Sequence, residues 1–300
     1  MRLLDDVIRR SYWYYGIFGH CAKFWNLKEG ERFDVVNLGS NSALHAFDYT
    51  NLPINAANWA MSPQGLYADG ALLQKYGPLH ISQGKGVVLI PLCPFSSISG
   101  DISYQMPRRY YSLLDAEQIP KYSEKERMIV MNMKDHPWSS FPKNVGQFKQ
   151  ETKFICGLMN KAISSSDFSL NARQWLEAWM REFGISNLEE PLTSRNCKRR
   201  ADSVITLKGI IRICEQLNVN PVLVIPPVSE ALALLFSPQA LQCYIYDFIK
   251  EIELNDIILI NYWEWKIDNS CFHNAYFLNS KGAKLFTTLL LSDLNLLTTF

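Results

Sequence analysis

The sequence predicts an α/β protein: a three-layer α/β/α sandwich built on a parallel sheet, with a mostly helical insertion. Two patterns carry this. Short runs such as Phe33–Leu38, Val87–Leu92 and Val222–Pro226 are almost wholly apolar and end in Gly, Pro or Cys. A strand apolar on both sides must be covered on both faces, as in parallel sheets. Between the runs lie segments whose apolar residues recur every three or four positions, the period of a helix with one buried face. Strand and helix in alternation then imply crossover connections.

Each element follows in order. The first strand is expected at 33–38, and Gly39-Ser40-Asn41-Ser42 turns out of it. A weaker strand is expected at 53–59. Residues 64–76 carry Leu66, Ala68, Leu72, Leu73 and Tyr76 at helical spacing. Gly84-Lys85-Gly86 punctuates before the clearest core strand, 87–92, which closes on Cys93-Pro94-Phe95-Ser96-Ser97. A helix is expected at 202–217, a strand at 222–226, a helix at 240–252, a strand at 257–261 and a last helix at 280–291. Residues 98–200 break this rhythm. They are rich in Tyr, Trp, Ser, Pro and charge, with a helical piece at 172–183 presenting Trp175, Leu176, Trp179 and Met180 on one face. They read as an insertion or cap within a single domain spanning 1–300.

Composition narrows the function. The 300 residues are 48% hydrophobic and 20% charged, enough apolar material for a sizeable core. Thirty basic residues against 29 acidic ones leave a net charge of +1, without the strong field that nucleic-acid binding uses. The longest apolar stretch, Val87–Phe95, is about half of the ~20 residues a membrane span needs, so no transmembrane segment is expected. Seven cysteines (21, 93, 156, 197, 214, 243, 271) are scattered without a C-x-x-C pair, which points to reduced thiols and a cytoplasmic location. Near the amino end, Arg9-Arg10 precede an aromatic stretch ending in His20-Cys21. An export signal would place a small residue before that cysteine. The segment reads instead as an amphipathic helix, docked on the domain or associated peripherally with a membrane through its aromatic side chains.

Ligands of parallel sheets sit beyond the carboxyl ends of the strands. That rule selects the loops 39–42, 62–65, 93–97, 226–229 and 261–279. Within them Ser42 and Cys93 are candidate nucleophiles, with Ser40 beside them; a thiol is the more readily ionised. Turn-capping serines and a packed thiol are the alternative reading. Candidate bases are His45, one helical turn beyond Asn41, and His273, with His136 in the insertion as a third. The nearby carboxylates are Asp48, Asp69, Glu264 and Asp268. Asn41, Asn58, Gln64 and Asn274 supply amides, fixed donors and acceptors suited to sugar hydroxyls or an acyl carbonyl. Tyr104, Tyr110, Tyr111, Trp138, Trp175 and Trp179 either wall a sugar site or pack the insertion. No metal-ligand spacing and no phosphate-cradling glycine loop is visible, so no metal or cofactor is expected.

Two blocks in these loops resemble the SGNH (GDSL-like) hydrolases, and a third segment occupies the place of another block. Asp34-Val-Val-Asn-Leu-Gly-Ser-Asn-Ser42 resembles the first, where a strand ends in Gly-Asp-Ser with a nucleophilic serine. Asn274-Ala-Tyr-Phe277-Leu-Asn-Ser-Lys-Gly282 resembles the last, which supplies acid and base. Asn58-Trp-Ala-Met-Ser-Pro-Gln-Gly65 stands in place of the second. The resemblance implies a flavodoxin-like parallel sheet with Asn41 at the nucleophile position, Asn274 at the acid and Phe277 at the base. None of these side chains can perform the corresponding step. Leu92-Cys-Pro-Phe95 also replaces the block that brings an oxyanion asparagine. The sequence is similar to a divergent bacterial branch associated with surface-polysaccharide gene clusters. Three readings follow: an acyl (acetyl) transferase or esterase with a rebuilt site, taking a carbohydrate or acyl donor; a pseudoenzyme that binds a glycan or a partner enzyme; and an unrelated flavodoxin-like module.

Overall fold

Five parallel strands form one sheet: Val35–Asn37 (β1), Ala56–Asn58 (β2), Val87–Pro91 (β3), Asn220–Ile225 (β4) and Ile258–Asn261 (β5), in the order β2-β1-β3-β4-β5. The computed structural model describes residues 2–100, 106–141, 167–253 and 257–297; Tyr104 and Cys156 fall outside these. Val35 stands opposite both Ala56 and Val87, Leu89 opposite Val222, and Val222 opposite Ile258. All five expected strands are present and parallel. The first two are shorter than expected because their ladders cover three residues each; Leu38 still donates its N–H to Leu89 before the chain turns.

Both faces of the sheet are covered, as the apolar runs require. Val35, Leu89, Val222 and Val224 share a core with Phe47, Phe286, Leu290 and Leu291. The alternate residues Val36, Val88, Ile90 and Leu223 are buried as well. On the helical side, Leu66–His80 lies against Ser194–Gln216. Their approach is close: a Cβ on Gly77 would stand 2.7 Å from Leu217, and one on Gly70 would stand 3.3 Å from Ile210. The helix expected at 202–217 begins at Ser194, where Thr193 accepts a hydrogen bond from the Asn196 N–H. Its first turns are mostly polar and basic, so apolar periodicity alone starts it late.

The described residues group into two units. One comprises 29–102 with 164–300 and holds the sheet; the other comprises 1–28 with 103–163. Helices Phe168–Phe183 and the start of Ser194–Gln216, both within the stretch read as insertion, thus belong to the sheet's unit. In the second unit Tyr110 and Tyr111 are buried core residues, and helix Glu124–Asp135 packs beside them. Among the described residues, no helix is long and apolar enough to cross a membrane.

Candidate functional site

The chain leaves β1 for β2 on one side and reaches β3 on the other, so the strand order reverses between β1 and β3. Crevices of this kind open at the carboxyl ends of the two strands. The turn after β1 and Cys93 after β3 both lie there. The first turn requires glycine. Gly39 has φ +110°, and a Cβ on it would stand 2.7 Å from the Ala43 Cβ. Its N–H donates to Asp69 Oδ1 at 2.8 Å, and the Gln64 side-chain amide donates to the same oxygen. Asp69, 3% exposed on helix Leu66–His80, has a carboxyl pushed up to about 7 by burial, against the opposing pull of those two donors. The Gln64 N–H donates to Ser40 Oγ at 3.1 Å. Ser40, Gln64 and Asp69 thus hold the turn from beneath.

Two of the expected ligand-facing amides are also spent on the fold. Asn58 donates to the Phe47 carbonyl at 3.1 Å, while its oxygen accepts from Asn37 Nδ2 at 2.9 Å and from the Ala60 N–H at 3.0 Å. It closes the end of helix Asn41–Ala46. Asn274, 3% exposed, accepts from the N–H groups of Tyr276 and Phe277, both at 2.9 Å. The neighbouring Ala275 is clamped by Asn171 Oδ1 on its N–H and by the Ser229 N–H on its carbonyl. Asn274 is buried and Asn58 half-buried, and these bonds leave the two amides as scaffold. Asn41, at the first turn of its helix and half-buried, makes no side-chain hydrogen bond to another described residue.

What converges on the crevice is a different set. Ser42, Cys93 and Tyr276 line one small pocket, where the Tyr276 phenol lies beside the other two side chains. Cys93 Sγ also lies 3.4 Å from Ser96 Oγ. These groups border a cavity of about 10 Å³ walled by Pro226, Pro227 and Trp263, room for about one water molecule. Trp263 is 2% exposed, and its indole N–H has no acceptor among the described residues. Burial, and then the charge of Cys93, hold the Tyr276 phenol well above its ordinary titration range. At neutral pH it is a neutral donor and acceptor, not a base.

Both expected histidines lie beside Phe277, the residue after Tyr276. His45 follows Ser42 by one helical turn. Its ring stacks on Phe277, with centroids 4.7 Å apart, and meets the His273 ring edge-on at 6.1 Å. Burial, and then the His273 charge, lower the His45 titration point, which keeps the imidazole neutral at neutral pH. The expected orienting carboxylates are engaged elsewhere: Asp268 accepts from the Ser270 N–H and Asp48 from the Thr50 N–H. Trp175 stands against Phe277 at 5.3 Å, and Trp179 against Tyr276 at 4.8 Å. Of the aromatic residues flagged in the insertion, these two wall the crevice. Trp138 and His136 belong to the other unit.

Tyr276 is the residue that sequence reasoning missed. It was hidden between Asn274, read as a binding amide and a triad position, and Phe277, read for its triad position. Among the described residues, no group of three or more His, Cys, Asp or Glu is placed to hold a metal. The chain matches no protein-family model, and no curated protein is significantly similar to it.

Proposed function

We propose that this chain is an SGNH-like protein in which serine hydrolysis has been given up and the outer rim of the strand-end crevice binds a carbohydrate, of the kind found in a bacterial surface polysaccharide or its precursor. The observation that carries the reading is the neighbour of Ser42. Its hydroxyl shares a small cavity with the neutral Tyr276 phenol, and Phe277 stands at the position where the family places its base. A hydroxyl without a base has no route to the alkoxide. The side chains around it suit binding. Half-buried Trp175 and Trp179 offer aromatic faces, while Asn41, His45 and His273 offer polar groups at the rim. The cytoplasm is the proposed compartment, on the cysteine spacing.

A second reading, acyl transfer to a sugar hydroxyl, rests on His45. A half-buried imidazole held neutral can take a proton from a bound hydroxyl without any protein nucleophile. One experiment separates the two. Calorimetric titration with oligosaccharides of surface-polysaccharide repeat units should show binding that Asn41→Leu and Trp175→Ala weaken. Assays with acetyl-thioester donors and small chromogenic esters should show no turnover above background. Donor-dependent acetylation abolished by His45→Ala would establish the second reading; ester turnover abolished by Ser42→Ala would overturn both.

A further inference from the structure

Helices Arg2–Arg9 and Tyr12–Phe18 carry two apolar faces where one would complete the fold. Asp5, Ile8, Ser11, Tyr14, Phe18 and Cys21 are buried at helical spacing along one stripe. That stripe is satisfied within its own unit: Asp5 accepts from the Trp138 N–H at 2.9 Å, and Ser11 caps the second helix through the Tyr14 N–H. Outside the stripe, Leu3 is 78% exposed, Val7 48%, Tyr15 47%, Tyr12 42% and Leu4 40%. Five of the fourteen large hydrophobic residues exposed among the described residues therefore fall within thirteen positions. Single exposed apolar residues are ordinary, whereas a cluster marks a contact surface.

The charges around the cluster select what it meets. Arg2, Arg9 and Arg10 are exposed on these two helices and their junction. Of the two acids present, Asp5 is buried and Asp6 is paired with Arg9 at 2.9 Å. A second copy docking by two-fold symmetry would set this basic patch against itself. An anionic lipid surface brings the opposite charge, and leucine, valine and tyrosine beside arginine are the side chains that settle in the headgroup region. With eight and seven residues, the helices can lie on a bilayer but not span one. We propose that this face of the N-terminal helices binds peripherally to membranes bearing anionic lipid. The inference is independent of the carbohydrate reading and involves none of its residues.

The test is co-sedimentation of the full chain with vesicles of phosphatidylcholine alone and of phosphatidylcholine mixed with phosphatidylglycerol. The expected result is binding to the mixed vesicles only, weakened by salt, and reduced by roughly tenfold or more in Leu3→Glu/Val7→Glu, since binding scales with buried apolar area plus attraction to anionic lipid. Arg2→Gln/Arg10→Gln should weaken binding with the apolar face intact. Because all four positions are exposed, thermal melting of the variants should match the parent; should the glutamate pair melt early, Leu3→Ser/Val7→Ser takes its place. No binding to mixed vesicles overturns the proposal, as does binding that these substitutions leave unchanged. So does a parent that self-associates through this face in light scattering and ignores vesicles.

Discussion

The ring of His45 lies nearly flat on the ring of Phe277, with centroids 4.7 Å apart and planes 28° from parallel. The position where the resemblance implies a base is thus apolar, and an imidazole reaches it from the opposite side of the crevice, on helix Asn41–Ala46. The contact has an electrostatic effect. An aromatic face replaces water beside the imidazole and disfavours its charged form, and the nearby His273 acts in the same direction.

A pH dependence follows. The folded His45 titrates below its unfolded value of about 6.5. Above that value both states are neutral and the residue has no effect. As pH falls through it, the unfolded chain takes up the proton first and the fold loses stability, the loss becoming complete below the folded value. Melting temperatures from pH 8 down to pH 5 should fall more steeply for the parent than for His45→Gln. In proton-resolved titrations, Phe277→Ala should bring His45 back towards its ordinary range.

Asp69 has the opposite sign. Its folded value of about 7 lies above the unfolded value of about 3.9. Its stabilising share is full below the unfolded value and is lost as pH rises towards and through about 7. Asp69→Asn keeps an oxygen for the Gly39 N–H and removes the charge, so urea unfolding should show a smaller loss of stability between pH 5 and pH 8 than in the parent. Asp69→Ala strands the buried Gly39 N–H and should cost about 1–3 kcal/mol at pH 5.

Gly39→Ala tests the turn itself. A φ of +110° disfavours any side chain, and the added methyl would meet the Ala43 Cβ at 2.7 Å. A loss of at least about 1–3 kcal/mol is expected from the backbone conformation alone. Chemical denaturation measures it, and a variant within about 0.5 kcal/mol of the parent would show that the turn relaxes freely.

Trp263→Phe removes a buried donor that has no acceptor among the described residues. Losing an unpaired buried polar group offsets part of the lost volume. The change should therefore cost well under the about 3–5 kcal/mol typical of Trp→Ala, and Trp263→Ala should show that full cost in the same denaturation experiment.

The sheet was legible because its evidence is composition along short windows. Val87–Leu92 is apolar on both sides, and only a doubly covered strand needs that. The crevice was legible in part. Ser42, Cys93, His45 and His273 were selected by the strand-end rule; Ser42 and Cys93 share one small cavity, while His45 and His273 meet each other beside Phe277. The amides were harder, because residue type does not say which way a side chain turns. Asn58 and Asn274 follow or flank the right strands, yet backbone groups needing partners lie closer than any ligand. Tyr276 escaped notice since it matters only through the two side chains that share its cavity, a relation between positions 42, 93 and 276 that no local window contains.

The clamps on residues 274–277 separate the loop's shape from its chemistry. Asn274 ties the N–H groups of Tyr276 and Phe277, while Asn171 and Ser229 hold the backbone of Ala275. None of these bonds uses the side chain of residue 276 or 277. The loop's backbone bonds therefore do not depend on those two side chains, although Phe277 is buried against His45 and Trp175 and its replacement carries a packing cost. Exchanging them, alone or with Ser42 and Cys93 opposite, alters what the crevice presents without asking the backbone to refold, which makes this loop a natural place to graft a new acid or base onto the scaffold.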